Sequence, residues 1–139
     1  MLKGISKIVS PALLKILSEM GHGDEIVIAD ANFPSETNGK RVVRADGISG
    51  KEMLDAVLSL IPLDTYAQEN FMLMATTNGD PTPCIWKEYD DIAACHDKNV
   101  RKKELERFEF YERAKNAYAV IATGETAIYA NIILKKGVL

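Results

Sequence analysis

The run Glu25-Ile26-Val27-Ile28-Ala29 is the feature that most constrains what this chain can fold into. It is short, rich in β-branched residues and free of apolar–polar alternation, which is how a strand covered on both faces reads. Such a strand asks for a layer of structure above it and another below. Amphipathic segments elsewhere in the chain are the candidates for those layers. Ser10-Pro11 followed by Leu13, Leu14, Leu17 and Met20 predicts a capped helix over residues 11–20 that ends at Gly21. Ser49 and Glu52 have capping-box spacing, and Met53, Leu54, Val57, Leu58 and Ile61 share one face, so a second helix runs up to Pro62.

The remaining elements follow the same logic. A strand is expected near 41–44, a buried strand over 71–76, and a helix from Pro83 to about Cys95 with Ile85, Tyr89, Ile92 and Ala93 facing inward. Residues 98–103 read as a solvated basic connection, and 107–116 as a short helix. Two last strands, 118–122 and 129–134, are joined through Thr123-Gly124-Glu125-Thr126 and close enough in sequence to pair antiparallel. Alternating strands and helices predict an α/β protein, a three-layer α/β/α sandwich on a mostly parallel, mixed sheet. With 139 residues and no repeat, low-complexity stretch or composition break, residues 1–139 are expected to form a single domain.

Composition narrows the partners. A net charge of -3 offers no broad attraction to phosphate backbones or anionic lipid, so no nucleic-acid or membrane partner is expected. No apolar run approaches the ~20 residues of a bilayer span, and the amino terminus lacks a secretory pattern, which predicts a cytoplasmic protein. Cys84 and Cys95 are then free thiols, expected to be buried and structural.

Several positions carry chemistry. His22 sits between Gly21 and Gly23, after a helix and before the buried strand, where backbone can approach a ligand closely. The same pattern also fits a helix stop with an exposed histidine. Asp30 follows the carboxyl end of that strand, the end where open α/β sheets bind ligands, and also reads as a loop-capping aspartate. Tyr129 and Asn131, two apart on the predicted last strand, would point to one face while Ala130 points away. Arg107 and Tyr111 at i, i+4 would share a helical face, or form a surface cation–ring pair. His96, beside Cys95 and Asp97, has no zinc-ligand spacing, so no metal is expected. The glycines form neither GxGxxG nor GxxxxGK[ST], and there is no GxSxG elbow. No cofactor is expected. One histidine, one aspartate and several neutral hydrogen-bonding groups suit proton transfer on a polyol.

The segments Gly21-His22-Gly23-Asp24-Glu25, Asp30-Ala31-Asn32-Phe33-Pro34, Arg44-Ala45-Asp46-Gly47, 107–114, Thr123-Gly124-Glu125 and Tyr129-Ala130-Asn131-Ile132 together resemble the fucose mutarotase and ribose pyranase family. The resemblance covers essentially the whole chain and is weakest over 78–103. It is closest to the L-fucose mutarotase branch, because Arg107 stands where the ribose branch usually has histidine. Phe110-Tyr111-Glu112-Arg113 and Leu134-Lys135-Lys136-Gly137-Val138 are also worded as in the fucose branch. Ala130 stands where some members of that branch have glycine.

The resemblance implies an isomerase of carbohydrate metabolism that interconverts α and β anomers of L-fucose. It implies His22 as the acid/base group, with Asp30, Arg107 and Tyr129-Ala130-Asn131 binding the monosaccharide. Tyr111 or Phe33 would lie against the sugar's apolar face. It further implies a homodecamer with sites at subunit boundaries. The alternatives are a ribose pyranase-type ring isomerase and a non-catalytic sugar-binding oligomer. A titrating histidine separates catalysis from binding alone.

Overall fold

Ser10 Oγ accepts a hydrogen bond from Leu13 N at 3.1 Å and Pro11 opens the first turn, so α1 runs Pro11–Glu19. In this computed structural model, which describes residues 1–139, the chain continues with β1 (Glu25–Ala29), α2 (Ser35–Asn38), β2 (Val42–Ala45) and α3 (Gly50–Leu58). Then follow β3 (Phe71–Met74), α4 (Cys84–His96), β4 (Lys102–Leu105), α5 (Arg107–Asn116), β5 (Ala119–Thr123) and β6 (Ile132–Lys135). The Ser49–Glu52 capping box is formed at the start of α3.

The strands make one sheet in the order β2-β5-β1-β6-β3-β4. Neighbours run parallel except around β6, which is antiparallel to β1 and to β3. The unalternated run of β1 is divided between two cores. Ile26 and Ile28 pack with Leu13 and Leu17 of α1, Met53, Leu54 and Val57 of α3, and Ile85, Tyr89 and Ala93 of α4. Val27 and Ala29 face Phe110 and Ala114 of α5, with Phe33, Met72 and Ile133. Each buried Val, Leu, Ile, Met or Phe side chain among these contributes about 1.5–3 kcal/mol, and each alanine methyl less. The three-layer α/β/α sandwich with a mixed sheet is therefore realised, its layers unequal in size.

Four expectations are corrected. The last two strands do not pair: β6 enters between β1 and β3, because residues 124–131 carry the chain across the carboxyl end of β1, where Ala31 N donates to Glu125 O at 2.8 Å. Strand β6 also starts at Ile132, so Tyr129, Ala130 and Asn131 precede it; Tyr129 has φ 55, which takes the chain out of extended geometry. The connection expected over 98–103 stops short at 101: Lys102 and Lys103 open an edge strand, 102–105, with Lys102, Lys103 and Glu104 exposed and only Leu105 buried. A charged edge carries no apolar pattern to read. Finally, Cys84 and Cys95 are both exposed, since α4 turns Ile85, Trp86, Tyr89 and Ala93 to the core instead.

Candidate active site

Strand β1 ends by driving Asp30 into the interior, where the residue is 5% exposed. Its Oδ1 accepts from Asn32 N at 3.0 Å and its Oδ2 from Ala130 N at 3.4 Å, while its own N–H donates to Asn131 Oδ1 at 2.8 Å. Burial pushes the Asp30 carboxyl above the usual carboxylate range, against the opposing pull of these donors. The carboxyl group is thus fixed in orientation and costly to ionise.

The Tyr129-Ala130-Asn131 segment is gripped from α4. Trp86 Nε1 donates to Tyr129 O at 2.8 Å, and the buried Tyr89 hydroxyl donates to Ala130 O at 3.0 Å. Tyr89 reaches that carbonyl only because residue 50 is glycine; a Cβ there would collide with the tyrosine hydroxyl. The left-handed Tyr129 backbone is therefore over-determined by hydrogen bonds. Its hydroxyl meets Asp80 Oδ2 at 2.6 Å and Thr77 Oγ1 at 3.1 Å.

Arg107, the first residue of α5, donates from Nε to the Tyr111 hydroxyl at 3.1 Å, one turn along. Tyr111 stands edge-on to Phe33 with ring centroids 5.5 Å apart, and Phe33 packs likewise on Phe110. Arg107 is thereby aimed across the end of the sheet.

These groups surround a cavity of about 360 Å³ at the carboxyl ends of β1 and β3. Asp30, Arg107, Tyr111, Tyr129 and Asn131 all line it, and Ala130 lies buried behind. The wall also includes Asn32, Met74, Thr77, Asp80 and Ile128, which the sequence did not single out. The turn-forming composition of 77–80 was the one signal available there.

His22 is not part of that wall. It precedes β1, whereas Asp30 follows it, and the residues from Glu25 to Asp30 alone span about 16 Å. At its own end of the sheet, His22 Nε2 lies 3.0 Å from Asp64 Oδ1, with the Tyr66 ring tilted beside it at 5.5 Å. Gly23, with φ 85, binds through its N–H to Lys136 O at 2.8 Å and so ties the histidine loop to the sheet. Asp64 is 4% exposed and its Oδ1 also accepts from Tyr66 N at 3.0 Å. Burial raises its pKa, but the Tyr66 N–H and His22 together outweigh it and hold the carboxyl below the usual range. An ionised carboxylate against an imidazole fixes ring orientation and tautomer, the arrangement of an acid/base pair. Asp64 sits in Pro62-Leu63-Asp64-Thr65, where nothing in the sequence marked it.

Residues 3–139 match the RbsD / FucU transport protein family, and the chain belongs to that family. Among its relatives, the fucose mutarotase of Mus musculus is 52% identical over 99% of this chain and 95% of its own length. The L-fucose mutarotase of Histophilus somni is 50% identical over 99% and 97%. The crystal structure of the fucose mutarotase in complex with L-fucose from Streptococcus pneumoniae superposes with a TM-score of 0.96 at 50% identity, covering 99% of each chain.

Proposed function

We propose that this protein is an L-fucose mutarotase, an isomerase that interconverts the α and β anomers of the free sugar. The observation that carries the reading is the cavity lined by Asp30, Arg107, Tyr111, Tyr129 and Asn131, together with full-length likeness to mutarotases at about 50% identity. The cavity has room for a monosaccharide and offers placed polar groups beside aromatic rings. Arg107 and Asn131 donate to sugar oxygens, Asp30 accepts from hydroxyls, and Tyr111 and Phe33 lie against the apolar face.

In the reaction, His22 takes the proton from the anomeric hydroxyl and a proton is delivered to the ring oxygen. The bond from the anomeric carbon to the ring oxygen breaks as the carbonyl forms. Rotation of the open-chain aldehyde and reversal of the two transfers give the other anomer, with no net change in atoms or electrons. Asp64 holds the imidazole through the exchange.

One sugar cannot touch both ends of β1. His22 must therefore reach the cavity of another copy, and this separation supports an oligomer whose sites lie between subunits; a homodecamer is the assembly we propose. The exposed thiols Cys84 and Cys95 suit a reducing, cytoplasmic setting.

Exchange NMR with L-fucose, D-ribose and D-galactose tests the reading. The protein should accelerate anomer exchange of L-fucose above the other two. No acceleration of any sugar, with binding retained, would make it a sugar-binding protein instead.

A further inference from the structure

Four of the five tyrosines have their hydroxyls engaged within the chain: Tyr89 with Ala130 O, Tyr111 with Arg107, Tyr118 with Glu19 and Tyr129 with Asp80. Tyr66 is the fifth. It is 77% exposed, its hydroxyl bonds to nothing in the chain, and its ring stands beside the His22 imidazole with centroids 5.5 Å apart.

The loop that displays this ring is nevertheless fixed. Asp64 Oδ1 accepts from Tyr66 N and pairs with His22 Nε2, both at 3.0 Å, so one buried carboxylate oxygen sets the place of both residues. Arg101 Nη1 donates to Thr65 O at 2.9 Å and to Ala67 O at 2.6 Å, gripping the backbone on either side of Tyr66. An exposed aromatic on a braced backbone has little conformational freedom left to lose when it meets a ligand. A sugar that meets the imidazole comes within reach of the phenol, because the two rings are neighbours.

Neither His22 nor Tyr66 lines the cavity of its own chain. That cavity in turn has an exposed apolar residue in its wall, Ile128, at 62%. The two ends of the sheet thus carry complementary halves, a cavity open beside Ile128 and a fixed aromatic next to the acid/base group. We infer that Tyr66 enters the cavity of a neighbouring copy together with His22, where its ring covers the bound sugar beside Ile128 and sets the affinity for it. The carbon-bound hydrogens of a pyranose face pack against an aromatic ring, and covering them keeps water from the proton transfers. The inference rests on the mutarotase reading and on a site shared between copies.

The test is co-expression of Tyr66→Ala with Asn131→Ala and, separately, with His22→Ala, assayed by anomer exchange at L-fucose well below saturation. Alone, Tyr66→Ala should raise KM about tenfold with kcat near that of the wild type, and Tyr66→Phe should lose much less. With Asn131→Ala, about a quarter of the sites in a mixed oligomer are native and activity should rise to at least that share of the wild type. With His22→Ala, no site receives both native side chains, and activity should stay at the average of the two parents. Recovery with His22→Ala, or none with Asn131→Ala, overturns the proposal. So does a loss in Tyr66→Phe equal to that in Tyr66→Ala, or a shifted pH midpoint of kcat, which would mean that Tyr66 acts only through the His22–Asp64 pair. Wild-type exchange is measured first: its absence sinks the mutarotase reading, while titration of Tyr66→Ala with L-fucose still judges the contact, unchanged affinity rejecting it.

Discussion

His22 and Asp64, forty-two positions apart in sequence, form a hydrogen-bonded pair with Nε2 and Oδ1 3.0 Å apart, and only the carboxylate partner is buried. The exposed imidazole is available to a ligand while its orientation is set from within. Asp64→Asn should slow anomer exchange about 10- to 100-fold, since a hydrogen bond to a charged group is worth about 1.5–3 kcal/mol. Exchange NMR checks this, and an unchanged rate would remove Asp64 from the unit.

The same carboxylate should leave a mark on stability. Because its folded pKa is depressed, the stabilisation is present above the ordinary carboxylate range and is lost as pH falls through the folded value. Urea unfolding from about pH 6 to about pH 2 should show the wild type losing more stability than Asp64→Asn. Parallel curves would contradict the assignment.

A site shared between copies predicts complementation. Assayed at L-fucose well below saturation, His22→Ala should be nearly inactive alone and Asn131→Ala strongly impaired. Co-expressed, they should regain activity, since in a randomly mixed oligomer about a quarter of the sites combine two native contributions. The His22 side chain is 45% exposed, so its removal should leave the circular dichroism spectrum unchanged. No recovery on co-expression would place the whole site within one chain.

Truncating Arg107 to Met or Asn131 to Ala should weaken sugar binding by about 1–3 kcal/mol, roughly 5- to 150-fold, because partners in the cavity lose placed donors and acceptors. Asn131 carries the added burden of holding Asp30 N. Titration calorimetry with L-fucose distinguishes this from a loss confined to turnover.

Gly50→Ala tests how the site is braced from a distance. The added methyl group collides with the Tyr89 hydroxyl, which must release Ala130 O. Overpacking of this kind costs about 1–3 kcal/mol, and exchange should fall although residue 50 touches no sugar. Normal activity in a destabilised protein would show that the Tyr89 clamp does not govern the site.

Local patterns reveal most of the layer architecture because they follow from short-range chemistry. The Ser10 and Ser49 caps, the unalternated β1 run and the apolar stripes of α1, α3 and α4 each depend on residues within a few positions of one another. The five predicted ligand-binding residues that line the cavity were also readable, as chemistry-bearing groups at strand and helix ends and through the resemblance of whole motifs.

Long-range relations were decided elsewhere. The insertion of β6 between β1 and β3 depends on how residues 124–131 cross the sheet, and the edge strand β4 on backbone pairing with β3 that its charged side chains conceal. The left-handed Tyr129, the hold of Asp80 on its hydroxyl and the pairing of Asp64 with His22 all join residues dozens of positions apart. Sequence alone determined the layers and the chemical groups brought to the sheet ends. Only the tertiary structure decided which groups meet, because hydrogen bonds between distant segments leave no periodicity in the chain that makes them.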